Sequence, residues 1–502
     1  MDVMYAALIY NFLTLVVTIF GSSSSEINGK PWRPENFKSA FNKCDHLGEP
    51  LILTPYIKAG DIKRARQLST VHLPFVPAVS HSGFLTVNET DNGNMFFWFF
   101  PAEIAEPELA PVVVWLQGGP GATSMFGLFV EHGPFYLQNS IIPLPRPYRW
   151  TKLANMLYID NPVGTGFSFT NTTDGYSRNQ KQVSMNLYEA LLQFYTMFPQ
   201  FQTGELYITG ESYAGKYVPS LAYRIHVSNW NATLQLPLAG IAIGNGLVDP
   251  ANMFHYGDML YQFGMIDELQ RDYFHTQEDA FRIAVSDYRF HDAFLIFDSL
   301  LNGDKISYPT YFYNATHSEY YFNILRTTAP PDFGYYNKYL EQCDVRQAIN
   351  VGNQTFANGS LVEDFLLEDI PQSVRTKLET LADNYKVLIY NGQLDIICGL
   401  PLTENYINQM DWSGADAYKT AKKIIWKVDD TDKEVAGYVR QVNKFFQVAV
   451  RNGGHMLPYD QPRATFDMLR RFLFGKPFVN RGKSASASSN SGKKSRSKKH
   501  AH

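Results

Sequence analysis

Residues 206–215 read Leu-Tyr-Ile-Thr-Gly-Glu-Ser-Tyr-Ala-Gly, and the interpretation of the fold starts from this stretch. An apolar run leads into a serine between small residues, and a helix-forming stretch follows, which is the layout of a nucleophile elbow. Gly210, Ala214 and Gly215 keep bulk away from Ser212, so a tight and strained turn can expose its hydroxyl. The usual pattern has Gly where Ala214 stands, a difference of one methyl group. An ordinary turn serine is the alternative interpretation.

Other short, continuously apolar runs of this kind recur along the chain. They predict strands that are buried on both faces, as in a largely parallel sheet. Helical patterns separate several of them, notably at 183–198 and 462–474, so the sequence predicts an α/β, doubly wound architecture. The predicted buried strands are 112–116, 156–159, 206–208, 241–243, 387–390 and 446–450.

Two features lie outside this alternation. Residues 83–87 and 95–100 flank Asp-Asn-Gly-Asn at 91–94, which predicts an N-terminal hairpin. About 140 residues separate the predicted strands near Gly244 and Lys386, many more than a crossover requires. We interpret the excess as a cap inserted at 252–335, between a first core part at 60–251 and a second at 336–478.

A serine hydroxyl needs an imidazole to take its proton and an acid to orient that imidazole. Asp395 and His455 each come just after a predicted strand, where open α/β sheets place their sites. The order Ser, Asp, His is that of the α/β-hydrolase fold. Taken singly, Asp395 could be a turn residue and His455 a satisfied loop histidine. Together with Ser212 they predict a catalytic triad.

The anionic tetrahedral intermediate of such a reaction needs preorganised backbone donors. One predicted donor is the N–H of Tyr213, directly after the serine. The loop Gln-Gly-Gly-Pro-Gly at 117–121 follows a strand, and Gly119 is the predicted second donor. A phosphate-binding loop is the competing interpretation, but the Lys-Ser/Thr ending of a P-loop is missing.

Composition limits the class of protein. The chain has 502 residues, of which 45% are hydrophobic and 18% charged, so one enlarged domain or two domains can form. The formal net charge of -4 argues against extensive nucleic-acid binding. The aromatic fraction of 15% fits a broad pocket as well as core filling.

The N-terminus predicts entry into the secretory pathway. Residues 1–20 are almost free of charge and four serines follow, so we interpret 1–22 as a signal peptide, although Asp2 stands where a basic residue is usual. A signal anchor is the alternative, and no second candidate span follows, so we do not expect an integral membrane protein. Six sequons predict a secreted or endolysosomal glycoprotein: Asn88, Asn171, Asn231, Asn314, Asn353 and Asn358.

The C-terminal residues 481–502 are rich in Ser, Lys and Arg, which predicts a disordered basic tail. Either it is simply solvated or it tethers the protein to anionic glycans. Cys44, Cys343 and Cys398 allow at most one disulfide and leave one free thiol, which excludes a disulfide scaffold.

The sequence resembles the serine carboxypeptidase family from about residue 60 to 478, most closely its vitellogenic carboxypeptidase-like branch. Besides the Ser212 elbow and the Asp395 loop, the resemblance is carried by Trp-Leu-Gln-Gly-Gly-Pro-Gly at 115–121, Asp-Asn-Pro-Val-Gly-Thr-Gly-Phe-Ser at 160–168 and Gly-His-Met-Leu-Pro at 454–458. It implies an exopeptidase that removes one residue at a time from peptide or protein C-termini, with no metal or other cofactor.

The resemblance also implies a site for the substrate's terminal carboxylate, made by Trp115, Gln117, Gly118, Glu131 and Glu211. Two close carboxyls would share a proton and donate it to the substrate, because both cannot ionise cheaply. We therefore expect peptide cleavage to be favoured at acidic pH. A helix-surface acid is the alternative interpretation of Glu131.

Within this resemblance, some single positions differ from the family's usual residues and others match them. Most members have Asn where this chain has Gln117, which is one methylene longer. Ala122 replaces a frequent Cys, and Cys398 matches a free thiol near the site. Met456, beside the histidine, and the aromatic cap suggest apolar side chains near the scissile bond. Acyl transfer by the same triad and a non-catalytic protective scaffold are the alternative functions, and the oligomeric state stays open.

Overall fold

The structure is a computed structural model that describes residues 47–73, 79–139 and 142–479. The predicted signal peptide, Cys44 and the predicted basic tail lie outside these residues. Within them, no helix is both long enough and apolar enough to span a bilayer.

An eleven-stranded sheet forms the centre of the fold, with the order β1-β2-β3-β7-β4-β8-β9-β10-β13-β12-β11, and β5 and β6 form a separate hairpin. The strands are β1 Thr70–Val71, β2 Ser80–Asn88, β3 Gly93–Phe100, β4 Val112–Leu116, β5 Phe135–Gln138, β6 Ile142–Pro145, β7 Asn155–Ile159, β8 Leu206–Glu211, β9 Leu238–Gly244, β10 Lys386–Gly392, β11 Ile424–Trp426, β12 Gly437–Val442 and β13 Phe445–Val450.

The helices before the long insertion are α1 Thr54–Lys58, α2 Ile62–Ser69, α3 Ser124–Phe126, α4 Gln180–Met197 and α5 Ala214–Ser228. Between β9 and β10 lie α6 Pro250–Met253, α7 Tyr256–Gln262, α8 Glu268–Ser286, α9 Phe290–Phe297, α10 Tyr311–Thr316, α11 Tyr335–Leu340, α12 Cys343–Ala348, α13 Ser360–Leu366 and α14 Arg375–Asn384. The last four are α15 Leu400–Asn408, α16 Ala415–Thr420, α17 Leu457–Asp460 and α18 Pro462–Leu473. Two π-helical turns occur, at Gly127–His132 and Asp298–Asn302.

The predicted buried strands are the six central ones. β7, β4, β8, β9, β10 and β13 pair in parallel, and alternate side chains go to opposite cores. Val112 and Val114 join the core under α4 and α5, whereas Val113 and Trp115 join the core under α18. The predicted doubly wound α/β-hydrolase fold is therefore confirmed.

The edges of the sheet are antiparallel. β2 and β3 form the predicted hairpin, whose turn contains Asn92 at φ 51°. The hairpin β12–β13 and the edge strand β11 were not predicted, because β12 mixes polar and apolar residues and β11 is only three residues long. Because the six central strands are parallel, the loops after β4, β8, β9, β10 and β13 all meet at one edge of the sheet.

Candidate active site

Ser212 stands between β8 and α5 in the left-handed conformation, at φ 65°, where a residue other than glycine is strained. Its backbone is held on both sides. Ser212 N donates to Gly244 O at 3.0 Å, and Leu247 N donates to Ser212 O at 2.9 Å. A Cβ on Gly215 would lie 2.6 Å from the Leu247 nitrogen, so this position needs glycine, whereas Ala214 fits in the core. The turn therefore has the elbow geometry that the sequence suggests.

Asp395 and His455 lie in the loops after the neighbouring strands β10 and β13. His455 Nδ1 and Asp395 Oδ2 are 2.9 Å apart, and both side chains are buried. An ionised carboxylate only accepts, so this bond places the imidazole proton on Nδ1 and leaves Nε2 as an acceptor. Within the described part of the chain, Nε2 is buried and has no hydrogen-bond partner, Ser212 included. Catalytic hydrogen bonds often tighten only when substrate is bound.

Asn245 is a functional candidate that the sequence analysis missed. It follows β9, and its Nδ2 donates to Asp395 Oδ2 at 2.7 Å. Its Oδ1 accepts from Gly392 N at 3.3 Å, and its own N–H donates to Tyr390 O at 2.8 Å. The sequence did contain a signal for Asn245. It lies between two glycines at the end of a buried strand, and Asn tolerates the left-handed conformation, φ 44°, that it adopts there.

A segment of the predicted cap, residues 321–324, connects the two loops of the candidate triad. The ring centroids of Phe322 and His455 are 4.9 Å apart, and His455 N donates to Phe322 O at 2.7 Å. Ile324 N donates to Leu394 O at 2.9 Å, directly before Asp395. No sequence pattern indicates this role, since it depends on how the insertion returns to the sheet.

The Gly-rich loop after β4 passes directly over the elbow. A Cβ on Gly118 would lie 2.6 Å from Tyr213 N and 2.7 Å from Ser212 Cβ, so any larger residue would crowd the nucleophile. Gly119 has φ 106° and lines one pocket together with Ser212 and Tyr213. The two predicted backbone donors, of Gly119 and Tyr213, therefore border the same space.

The side chain of Tyr213 is anchored beneath the elbow. Its Oη donates to Asp369 Oδ2 at 2.5 Å, and the same oxygen lies 2.8 Å from Lys216 Nζ and 2.7 Å from Gln180 Nε2. Burial acts to raise the pKa of the Asp369 carboxyl, but these three partners hold that pKa below its usual value. A lysine inside an apolar helix directly after the elbow was the sequence signal for this buried pair.

Glu131 and Glu211 are buried, and their carboxyls interact directly with each other. Gln117 Nε2 donates to Glu211 Oε1 at 2.9 Å, and Trp115 Nε1 donates to Gln117 Oε1 at 2.8 Å, which fixes the orientation of the amide. Among the described residues, neither oxygen of Glu131 nor Oε2 of Glu211 accepts a hydrogen bond from a donor. A proton held between the two carboxyls would pair two of these three oxygens.

The charges of this pair follow from burial. Desolvation raises the pKa of Glu131, and it raises that of Glu211 further, with the negative charge of Glu131 adding to the rise. The pair therefore keeps a proton in a pH range where ordinary glutamates have lost theirs. Glu131 lies in the π-helical turn 127–132, and its complete burial excludes the alternative that it is a helix-surface acid.

An apolar pocket extends from Ser212 towards the insertion between β9 and β10. The predicted binding residue Met456 is buried after His455 but is not part of its lining. Cys398 is a buried free thiol in the wall, and burial raises its pKa well above the usual value. The lining consists of Gly119, Ser212, Tyr213, Leu247, Pro250, Met253, Phe254, Tyr256, Phe281, Phe297, Asn302, Glu363, Ile370, Ile397 and Cys398.

Comparison with known proteins places this site in a family. Residues 71–475 match the family model described as serine carboxypeptidase. The chain belongs to the serine carboxypeptidase family. As a member of that family the protein is a hydrolase, a serine-type carboxypeptidase.

Individual members of the family support the assignment. The human probable serine carboxypeptidase CPVL is 52% identical over 437 residues, which cover 86% of this chain and 92% of that protein. The venom serine carboxypeptidase of Apis mellifera is 47% identical, covering 86% and 93%, and the vitellogenic carboxypeptidase of Aedes aegypti is 40% identical, covering 85% and 90%. The predicted branch of the family is therefore confirmed.

The fold also matches a solved structure. The crystal structure of Kex1, a prohormone-processing carboxypeptidase from Saccharomyces cerevisiae, superposes with a TM-score of 0.72. It covers 82% of this chain and 96% of that chain at 22% identity, which supports the shared fold.

Proposed function

We propose that Ser212, His455 and Asp395 are the catalytic triad of this serine carboxypeptidase, and that Glu131 and Glu211 recognise the substrate's terminal carboxylate. One observation carries this proposal. Glu211 belongs to a buried pair of carboxyls with raised pKa values and directly precedes Ser212 in the chain. Glu211, which would recognise the substrate's C-terminus, is therefore adjacent in sequence to Ser212, which would attack the last peptide bond.

The proposed reaction is acyl transfer to Ser212 followed by hydrolysis. His455 Nε2 takes the Ser212 hydroxyl proton while Oγ attacks the carbonyl carbon of the last peptide bond. The N–H groups of Gly119 and Tyr213 donate to the resulting oxyanion. The imidazolium, stabilised by Asp395, gives its proton to the amide nitrogen, and the terminal amino acid leaves. Water then attacks the acyl carbon while His455 takes its proton. His455 gives this proton to Ser212 Oγ as the ester bond breaks, which releases the acid product and free serine.

Recognition of the terminal carboxylate uses the pair's proton. A protonated carboxyl of the pair donates to the substrate carboxylate, and Gln117, oriented by Trp115, offers an amide N–H, with Gly118 as a backbone contact. Because the pKa values of the pair are raised, the donor is present at low pH and is lost as the pH rises through those values. The proposal therefore includes peptide cleavage favoured at acidic pH.

Pocket chemistry supports a preference for substrates with apolar side chains on the acyl side of the scissile bond. Phe254, Phe281 and Phe297 lie in the wall of the pocket beside Ser212. Met456 is proposed to contact the substrate on another side, since it adjoins His455 outside that lining.

Secretion and glycosylation also belong to the proposal, with a secreted or endolysosomal location. Five sequon asparagines, Asn171, Asn231, Asn314, Asn353 and Asn358, are exposed. Asn88 is half-buried and its Nδ2 donates to Asp91 Oδ2 at 2.8 Å, so we expect the least glycan there. The basic tail at 481–502 lies outside the described residues, and its contact with anionic glycans stays a prediction from its charge.

The test is release of leucine from benzyloxycarbonyl-Phe-Leu at about pH 5 and about pH 7.5 by wild type and Ser212→Ala. We expect higher kcat/KM at the lower pH and a loss of about 10⁶-fold in kcat for the variant. Release of leucine by a folded Ser212→Ala variant at the wild-type rate would overturn the assignment of the nucleophile. A profile flat between the two pH values would overturn the role of the acid pair.

A further inference from the structure

Arg146 closes over the turn that carries Glu131. It follows β6, and its side chain returns across the β5–β6 hairpin to the π-helical turn 127–132. Arg146 Nη2 donates to Phe129 O at 2.6 Å, and Nε donates to Gly133 O at 3.2 Å. The main-chain N–H of Arg146 donates to Pro134 O at 3.0 Å. The two side-chain bonds therefore bracket Glu131, two residues before it and two residues after it.

This turn needs an external support. π-helical turns are rare, and the last carbonyls of a helix have no donor within it, so they can accept from outside. Apart from the proton shared with Glu211, the Glu131 carboxyl has no hydrogen-bond partner among the described residues, so its position depends mainly on the backbone that carries it. A planar guanidinium suits the task, because its fixed fork reaches two carbonyls at once, which an ammonium cannot match.

Arg146 is also free of a structural ion pair. In the described parts of the chain it forms no salt bridge, and its guanidinium lies 5.8 Å from the centre of the Tyr136 ring. Burial lowers the pKa of Arg146 to about 10, so the group stays cationic in the range where the enzyme works. The charged or titratable groups that interact with it are Tyr158, Glu131, Tyr136, Asp332 and His132.

We propose that Arg146 is a positioning residue for recognition of the substrate's terminal carboxylate, fixing the Glu131 turn through the carbonyls of Phe129 and Gly133. This inference rests on the proposed role of the Glu131–Glu211 pair. It concerns a residue outside the motifs that carry the family resemblance, and one that touches neither substrate nor the reacting atoms.

Charge adds a second consequence. The groups that act on Glu131 are Glu211, Gln117, His455 and Arg146, and Glu131 in turn acts on Tyr158 and Tyr390. The cation of Arg146 favours the ionised form of Glu131. Removing it moves the alkaline limb of the peptidase profile to higher pH, whereas Arg146→Lys keeps the charge and loses only the fork.

The surroundings make this position testable by chemical rescue. Arg146 lines a pocket with Phe129, Val130, Tyr136, Leu137, Asp332, Tyr335, Tyr336 and Tyr459. Truncation to Arg146→Ala would enlarge this pocket by the volume of the lost side chain. A small guanidinium such as ethylguanidinium can then occupy the vacated site.

The experiment compares Arg146→Lys, Arg146→Met and Arg146→Ala with wild type on two substrates. Benzyloxycarbonyl-Phe-Leu has a free terminal carboxylate, and benzyloxycarbonyl-Phe methyl ester has none. For Arg146→Met we expect a loss of about ten-fold or more in kcat/KM for the peptide, mainly through KM, and a change of less than about two-fold for the ester. Ethylguanidinium should restore part of the peptidase activity of Arg146→Ala. It should restore none of the activity that substitutions at other positions remove.

Matched controls separate the possible outcomes. Arg64→Met removes an exposed arginine on α2 and should leave kcat/KM unchanged for both substrates. Equal losses for peptide and ester, or a loss that ethylguanidinium does not restore in a variant of unchanged melting temperature, would overturn the inference. If Glu131→Gln itself leaves the peptide-to-ester ratio unchanged, the proposed role of the acid pair fails. If that ratio changes and the Arg146 variants leave it unchanged, only the inference on Arg146 fails.

Discussion

At the scale of single residues, the orientation of Asp395 depends on Asn245. Asp395 Oδ2 accepts from both His455 Nδ1 and Asn245 Nδ2, at 2.9 and 2.7 Å. The other carboxylate oxygen, Oδ1, has no partner among the described residues. Without the amide, the carboxylate can rotate about its last bond and the imidazole loses its fixed direction.

Replacing Asn245 by Ala should therefore lower kcat while leaving KM nearly unchanged. A hydrogen bond to a charged group contributes about 1.5–3 kcal/mol, so we expect a fall of about ten-fold or more in kcat. Steady-state kinetics on benzyloxycarbonyl-Phe-Leu measures it. Asn408→Ala, at an exposed amide on α15, is the matched control and should behave as wild type. An unchanged kcat for Asn245→Ala would show that the carboxylate is held by other contacts.

At the scale of elements, α5 is attached to the rest of the core by a buried charge pair. Lys216 lies in its first turn, and its Nζ is 2.8 Å from Asp369 Oδ2, with both side chains almost wholly buried. The Asp369 side chain also accepts a hydrogen bond from the Tyr213 hydroxyl. The pair therefore fixes the helix that begins just after the candidate nucleophile. Burying either charge alone is costly, which makes the two residues interdependent.

Lys216→Met should lower the free energy of unfolding by about 3–5 kcal/mol, because Asp369 stays buried without its cation. The double variant Lys216→Met, Asp369→Leu should recover part of that loss, since no lone charge remains. Urea denaturation of the three proteins measures both effects. Lys419→Met, at an exposed lysine of α16, is the control and should change stability by less than about 0.5 kcal/mol. If Lys216→Met alone were as stable as wild type, Lys216 and Asp369 would not depend on each other.

At the scale of the whole molecule, buried carboxyls adapt the fold to acidic conditions. Asp160 accepts from Thr123 Oγ1, Ser124 N and Phe167 N, and burial still raises its pKa from 3.8 to about 6. Glu131 and Glu211 have raised pKa values for the same reason. A carboxyl whose pKa is higher in the folded state contributes most below its unfolded pKa, and that contribution is lost as the pH rises through the folded value.

We therefore expect the melting temperature to be higher at about pH 5 than at about pH 7.5, by about 2 °C or more. Asp369 does not oppose this difference, because its lowered pKa means that its stabilising charge is lost only at lower pH. Burial lowers the pKa of His81 to about 4 and also lowers that of His132, so these two histidines favour the higher pH and reduce the difference without removing the effect of the carboxyls. Differential scanning calorimetry at the two pH values is the measurement. Glu131→Gln cannot ionise and should show a smaller difference, and a higher melting temperature at pH 7.5 in wild type would contradict the expectation.

Much of the fold could be predicted from the sequence because its signals are local. Buried parallel strands are continuous apolar runs, and 112–116 is a strand with these bounds in the structure. The elbow at Ser212 needs small neighbours, which can be read directly from residues 210–215. The edge strand β11 gave no such signal, because its three residues include one that is exposed.

Only the tertiary structure decided which distant residues meet. Asn245 reaches Asp395 across 150 positions, and residues 321–324 of the insertion join the loops of Asp395 and His455. Glu131 and Arg146 are close in sequence, yet their relation depends on a π-helical turn and a hairpin that no periodicity indicates. The sequence by itself determined the six central strands, the elbow and the order of the three candidate catalytic residues, since each depends on neighbours along the chain. The support around them depends on strand order and register, which bring polar groups together only once the sheet has formed.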